Sequence, residues 1–145
     1  MKNTFLPIVT VAALLLAGCA GYQTIRADKT LYQDLGGEAG IARITNDLVE
    51  LSRENPSIKR HFEKIDNEDL KKELASQFCQ LSGGPCQYKG KDMTKAHKRL
   101  DLSEADFNAL VEDLRIAFER NGTPVSAGNR LLALLAPMKR DMLHK

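Results

Sequence analysis

Gly83-Gly84-Pro85-Cys86-Gln87-Tyr88-Lys89-Gly90-Lys91-Asp92-Met93-Thr94-Lys95-Ala96-His97 is the part of the chain whose reading governs the rest. Gly-Gly-Pro ends the helix before it, because proline has no amide hydrogen and blocks helix continuation. From Gln87 to Leu102 the apolar residues follow no strong period. The segment therefore predicts glycine-punctuated loop with at most a turn or two of helix. A compact domain seldom carries so long a weakly structured stretch unless something organises it. A bound cofactor would do so, and His97 sits inside the stretch. The other histidines are His61 and His144.

The flanks on both sides are helical. Upstream, Asp66 reads as an N-cap, with Asp69 in the first turn where negative charge suits the helix dipole. Leu70, Leu74, Phe78 and Leu81 form that helix's apolar face. Before it, a helix from about Glu38 to Glu54 aligns Ile41, Ile44, Leu48 and Leu51. Gly36-Gly37 precedes this helix and Asn55-Pro56 stops it. A short turn with Ile58 and Phe62 facing inward joins the two.

Downstream, Ser103 opens a helix with Asp106 at the capping-box spacing. Phe107, Leu110, Val111, Leu114 and Phe118 are its buried stripe, and Asn121-Gly122 ends it. Thr123-Pro124 starts a last helix, with proline in the tolerated first turn. Leu131, Leu135, Met138 and Met142 make its apolar face. Pro137 interrupts that face and predicts a kink or an end. No stretch alternates like a strand, so the expectation is a single all-α domain over 31–145.

The first thirty residues are read separately. Lys2, the apolar run from Phe5 to Ala17 and the ending Leu16-Ala17-Gly18-Cys19 form a secretory signal. The run is too short for an ordinary membrane-spanning helix. The ending resembles the bacterial lipoprotein box. That resemblance implies a signal peptide over 1–18, a lipidated Cys19, a tether over 19–30, and a protein anchored to a membrane in the cell envelope, facing the periplasm. With Cys19 carrying lipid, Cys79 and Cys86 remain as a pair in an oxidising space. Their spacing is not CxxC. The reading favours a small structural disulfide, worth no more than about 2–3 kcal/mol, over two free thiols. The net charge of +2 and the lack of a basic run give no support to nucleic-acid binding. No Ser-His-Asp set, phosphate loop or zinc spacing supports a hydrolase or nucleotide reading.

Leu31-Tyr32-Gln33-Asp34-Leu35-Gly36-Gly37 resembles the opening of the group 1 truncated haemoglobins. Gly83-Gly84-Pro85, followed by Tyr88, Gly90, Met93 and His97, is similar to the same family, and Phe62 falls where that family places a haem-packing phenylalanine. The resemblance runs from about Leu31 to Met142. It implies a shortened globin of two-on-two helices around haem b, with His97 as the iron ligand. It singles out Phe62, Leu70, Leu74, Tyr88 and Met93 as haem contacts. Phe78, Phe107 and Val111 complete the expected apolar walls.

The chain departs from the family on the side where gas ligands bind. Many members carry a tyrosine on the second helix, and a glutamine after the Phe62 position often assists it. Ungapped matching puts Val49 at the tyrosine position and Leu70 and Leu74 on the distal face, and a one-residue slip gives Leu48 or Glu50, still not tyrosine. A donor beside dioxygen slows its release, while carbon monoxide needs that help less. The expectation is diatomic-ligand binding (oxygen, nitric oxide, carbon monoxide) with weak or short-lived oxygen uptake. Gln77 can reach inward as a donor or stay solvated at the helix edge. His61 could swing in as a sixth iron ligand, but the inward Phe62 beside it favours an outward side chain. Three other readings stay open: a haem-free structural or interaction lipoprotein, a nitric-oxide-detoxifying or redox enzyme served by an electron donor, and thiol redox chemistry at Cys79 and Cys86.

Overall fold

A computed structural model describes residues 30–143. The signal segment, Cys19, the tether up to residue 29 and His144 lie outside the described residues. The described residues open with a single helical turn, α1 (Leu31–Asp34), which buries Leu31. Gly36 and Gly37 then take left-handed backbone angles, φ 87° and 64°. That conformation suits residues without a Cβ, and it reverses the chain into α2 (Gly37–Glu54). The packing of this corner is close. A Cβ on Gly40 would lie 2.0 Å from the Leu35 carbonyl oxygen.

The helix α2 is the centre of the domain. It packs against both α3 (Asn67–Leu81) and α5 (Glu104–Arg120). Ile41, Ile44, Leu48 and Val49 recur at helical spacing and are all at most 3% exposed. Each such burial contributes roughly 1.5–3 kcal/mol. On the far side, α6 (Val125–Leu135) packs on α5, α1 and α3, with Ala127, Gly128 and Leu131 buried. The pairs α2/α3 and α5/α6 make the two-on-two arrangement. A polar staple ties α2 to α5. Asp113 is buried and accepts from the Ser52 hydroxyl at 3.0 Å and from the Asn55 amide at 3.0 and 3.1 Å. Burial of that carboxylate is tolerated because its oxygens are hydrogen-bonded.

The helix ends follow the local chemistry. Asp66 caps α3 by accepting the Asp69 N–H. Ser103 and Asp106 form the reciprocal capping box of α5. Pro124 sits one position earlier than expected, as the N-cap of α6 rather than in its first turn. At Pro137 the helix ends at Leu135, tightens into a 3-10 turn over Ala136–Met138, and resumes as α7 (Lys139–Met142). Between α3 and α5 the only regular element is α4 (Met93–His97), five residues long. A disulfide joins Cys79, in the buried core, to Cys86 at the start of this irregular segment, with Cα atoms 5.7 Å apart. Among the described residues there is no strand, and no helix is long and apolar enough to cross a membrane.

Candidate cofactor pocket

The weakly periodic segment does not collapse onto the core. It stands off from α2, α3 and α5 and encloses with them a cavity of about 1080 Å³. That is at the upper end of the range for small-molecule sites, and its wall is mostly apolar. Seven of the residues expected around a cofactor line it: Phe62, Leu70, Leu74, Tyr88, Met93, His97 and Phe107. Two do not. Phe78 points into the main core at 2% exposure. Val111 lies one turn past Phe107 on α5 and is not in the cavity wall, although its neighbour Leu110 is. Both lie on apolar stripes with true lining residues, and a stripe cannot tell which of its members meets the core and which a cavity. Val49, Leu100, Leu102 and Leu110 are among the further apolar residues in its wall.

The short helix α4 exists because Asp92 caps it. The Asp92 carboxylate accepts the Lys95 backbone N–H at 2.8 Å and pairs with the Lys95 ammonium at 2.9 Å. His97 is its last residue. The His97 Nδ1 lies 2.9 Å from the Met93 carbonyl oxygen. A carbonyl can only accept, so the proton belongs on Nδ1 and the lone pair on Nε2. Burial pushes the His97 pKa down, against a weaker upward pull from the Met93 carbonyl. The ring is therefore a neutral imidazole of fixed orientation with one nitrogen open to a ligand bond. Just beyond it, Arg99 (φ 83°) and Asp101 (φ 48°) take left-handed angles around Leu100. For non-glycine residues such angles cost about 1–3 kcal/mol each. The Leu100 N–H bonds to the His97 carbonyl oxygen at 3.1 Å, and Leu100 and Leu102 join the cavity wall.

Tyr88 is held to the loop rather than aimed into the cavity. Its backbone N–H donates to Gln80 Oε1 at 2.7 Å, and its hydroxyl donates to the Lys91 carbonyl oxygen at 2.8 Å. Burial, with Glu73 and Asp92 nearby, pushes its pKa up and keeps the hydroxyl protonated. Gly90 packs below it. A Cβ there would come within 2.1 Å of Glu73 Oε2 and 2.4 Å of the Tyr88 hydroxyl oxygen. Gln77, left open by the sequence, turns inward. It is 8% exposed, and its Nε2 lies 3.7 Å from Met93 Sδ and 3.8 Å from Met138 Sδ.

The expectation for His61 is overturned. Its side chain is only 12% exposed and lines the cavity. It ends a 3-10 turn (Lys59–His61), wedged between α2 and α5, where the buried Asp106 lies 3.5 Å from its Nε2. Asp106 itself does more than cap α5. It accepts from the Ser103 N–H at 2.9 Å and hydroxyl at 2.7 Å, and it takes the Arg60 guanidinium at 2.5 Å. The Ser103 groups first, then Arg60, hold its carboxyl far below the usual carboxylate range. Nothing in the sequence pointed to this cluster, since Arg60 and Asp106 are 46 residues apart.

A carboxyl with a depressed folded-state pKa contributes stability above its unfolded pKa of about 3.9, and that contribution fades as pH falls below it. The stability difference between wild type and Asp106→Asn is therefore expected to be constant from about pH 7 to 5 and to shrink below about pH 4. Denaturant unfolding at stepped pH measures it. A gap that widened toward acid would contradict the assignment.

Residues 30–144 match the family described as bacterial-like globin. The chain is 29% identical to a group 1 truncated haemoglobin of Tetrahymena pyriformis over 117 residues, 81% of this chain and 97% of the relative. It is 30% identical to the group 1 truncated haemoglobin GlbN of Nostoc commune over 118 residues, 80% of this chain and 98% of that one. The fold is similar to the crystal structure of the Tetrahymena pyriformis truncated haemoglobin in its Fe(III) form. The TM-score is 0.77, covering 81% of this chain and all of that one.

Proposed function

Because the chain belongs to the bacterial-like globins, and within them to the group 1 truncated haemoglobins, we propose that it holds haem b in this cavity on the His97 imidazole and binds diatomic gases there. The observation that carries the reading is His97: a neutral, oriented imidazole in the wall of a large apolar cavity. The donor set fits the group. The iron of a bound haem would be held by one protein nitrogen, which the His97 imidazole would supply. Among the described residues, no cluster of three or more His, Cys, Asp or Glu side chains is set to hold a bare metal ion. The residues that would hold the macrocycle are Phe62, Leu70, Leu74, Met93 and Phe107, which offer apolar and aromatic surface.

When bound, haem supplies an iron able to take up oxygen, nitric oxide or carbon monoxide. The chain's own contribution is the environment around it. Val49, Leu70 and Leu74 carry no hydrogen-bond donor, and the Gln77 amide faces two thioether sulfurs. This wall favours ligands that need no donor, so oxygen release is fast relative to truncated haemoglobins with a distal tyrosine. Leu16-Ala17-Gly18-Cys19 supports anchoring of the mature protein to a membrane through a lipid on Cys19. The Cys79–Cys86 bridge suits an oxidising compartment outside the cytoplasm.

Titration of the purified protein with hemin tests the proposal. The expected result is a Soret band saturating at one hemin per chain, and a carbon-monoxide adduct after reduction. A folded, helical protein that stays colourless with hemin would overturn it.

A further inference from the structure

Lys89, Lys91, Lys95, Lys98 and Arg99 fall between residues 89 and 101, against two carboxylates, Asp92 and Asp101. Neutral residues interrupt them, so they form no run. Yet this stretch carries +3 in a chain whose total is +2, which leaves the rest net acidic. The fold adds to the concentration. The helix α4 packs on α7, which brings Arg140 beside it. Lys95, Lys98 and Arg140 line one cleft between the two helices, where Asp141 is the only carboxylate among the described residues. All six cations are exposed. Lys95 pairs with Asp92 at 2.9 Å, and Arg140 lies 3.7 Å from Asp141. Lys89, Lys91, Lys98 and Arg99 have no ion-pair partner among the described residues. An exposed patch of one sign attracts a partner of the other.

The reach of the chain says which anionic surface is near. From Cys19 to Leu31 it spans at most about 40 Å, and a domain of this size is about 35 Å across. A lipid on Cys19 therefore keeps every face of the domain within reach of the bilayer and selects none. Charge can make the selection. The described residues also begin close to the basic segment, since the Tyr32 N–H donates to the Ser82 carbonyl oxygen at 3.0 Å, at that segment's root.

We propose that the face formed by residues 89–99 and Arg140 docks on anionic phospholipid headgroups and orients the tethered domain. This rests on the lipid-anchor reading above. Lys89, Lys91 and Lys95 are exposed and also line the large cavity, so docking turns the cavity's rim toward the bilayer. Lys98, Arg99 and Arg140 lie outside the cavity wall and isolate docking from cofactor binding. Each lysine or arginine near an anionic surface is worth about fivefold in binding.

The experiment uses the chain from residue 19 with Cys19→Ser, which has no acylation site. It is sedimented with vesicles of phosphatidylcholine, or of equal parts phosphatidylcholine and phosphatidylglycerol, at low and raised sodium chloride. Lys98→Ala/Arg140→Ala is compared with Arg115→Ala/Arg120→Ala, which removes the same charge from exposed positions on α5. The expected result is binding to the anionic vesicles alone, weakened by salt. The Lys98/Arg140 pair should weaken it by at least about tenfold and the α5 pair by less than about threefold. Equal binding to both kinds of vesicle, no binding to the anionic ones, or equal losses in the two pairs would overturn the proposal. Displacement of the chain from vesicles by duplex DNA at matched charge would overturn the assignment to lipid. The anchor is read separately, by the mass of the Cys19 peptide from the full-length protein made with its signal segment. An unacylated Cys19 there refutes the lipid-anchor reading, whereas failed vesicle binding refutes only the docking face.

Discussion

His97→Ala is expected to lose hemin retention by more than about 100-fold, since loss of even a supporting group around a metal ligand costs about 10–100-fold. The side chain removed is the one neutral imidazole whose orientation is set by its own helix, through the Nδ1 contact with the Met93 carbonyl oxygen. Its loss leaves the rest of the fold intact. His97 belongs to α4, which packs on α7, while the main core is built from α2, α3, α5 and α6. Far-ultraviolet circular dichroism should therefore change little while the Soret band of the hemin complex weakens and shifts. Free imidazole added to the variant should restore part of the wild-type spectrum by occupying the vacated volume. A variant that binds hemin as tightly as wild type, with the same spectrum, would remove His97 from the site.

Val49→Tyr is expected to slow oxygen dissociation by about 10–100-fold while changing carbon-monoxide dissociation much less. Val49 is fully buried on α2 and lines the cavity, so a larger side chain there extends toward bound ligand rather than into solvent. A tyrosine hydroxyl adds the donor that Val49, Leu70 and Leu74 lack. A hydrogen bond to a group carrying charge is worth about 1.5–3 kcal/mol, and each 1.4 kcal/mol is tenfold. Stopped-flow displacement of oxygen by carbon monoxide reads the rate. Equal oxygen release in both proteins would mean that the apolar wall is not what limits oxygen retention.

Most of the helical scaffold was legible before any coordinates, and the reasons are local. Asp66 and Ser103 announce helix starts because a side-chain oxygen bonds an amide two or three residues on. Asn55-Pro56 and Gly83-Gly84-Pro85 announce stops because glycine and proline act on their own backbone. The expectation for Gln87–Leu102 also agrees with the structure, in which α4 is the segment's only helix. His97 stood out through its place in that segment and the family resemblance of the residues around it.

What escaped the sequence has a common cause. Phe78 and Val111 share stripes with cavity residues, and only the packed structure sends the first into the core and leaves the second out of the pocket wall. His61 was expected to face outward because its neighbour Phe62 faces in. That rule describes a regular element, and here the chain is leaving a 3-10 turn beside a carboxylate supplied from 45 residues away. Gln77 could not be placed until α4 and the 3-10 turn at Pro137 brought Met93 and Met138 to its amide.

Periodicity, caps and breakers act over three or four residues, so the order of letters alone sets where each helix of this chain runs and which face is apolar. The partners of a buried polar atom are chosen by how those helices come together. The Arg60–Asp106–His61 cluster therefore came into view only with the folded molecule.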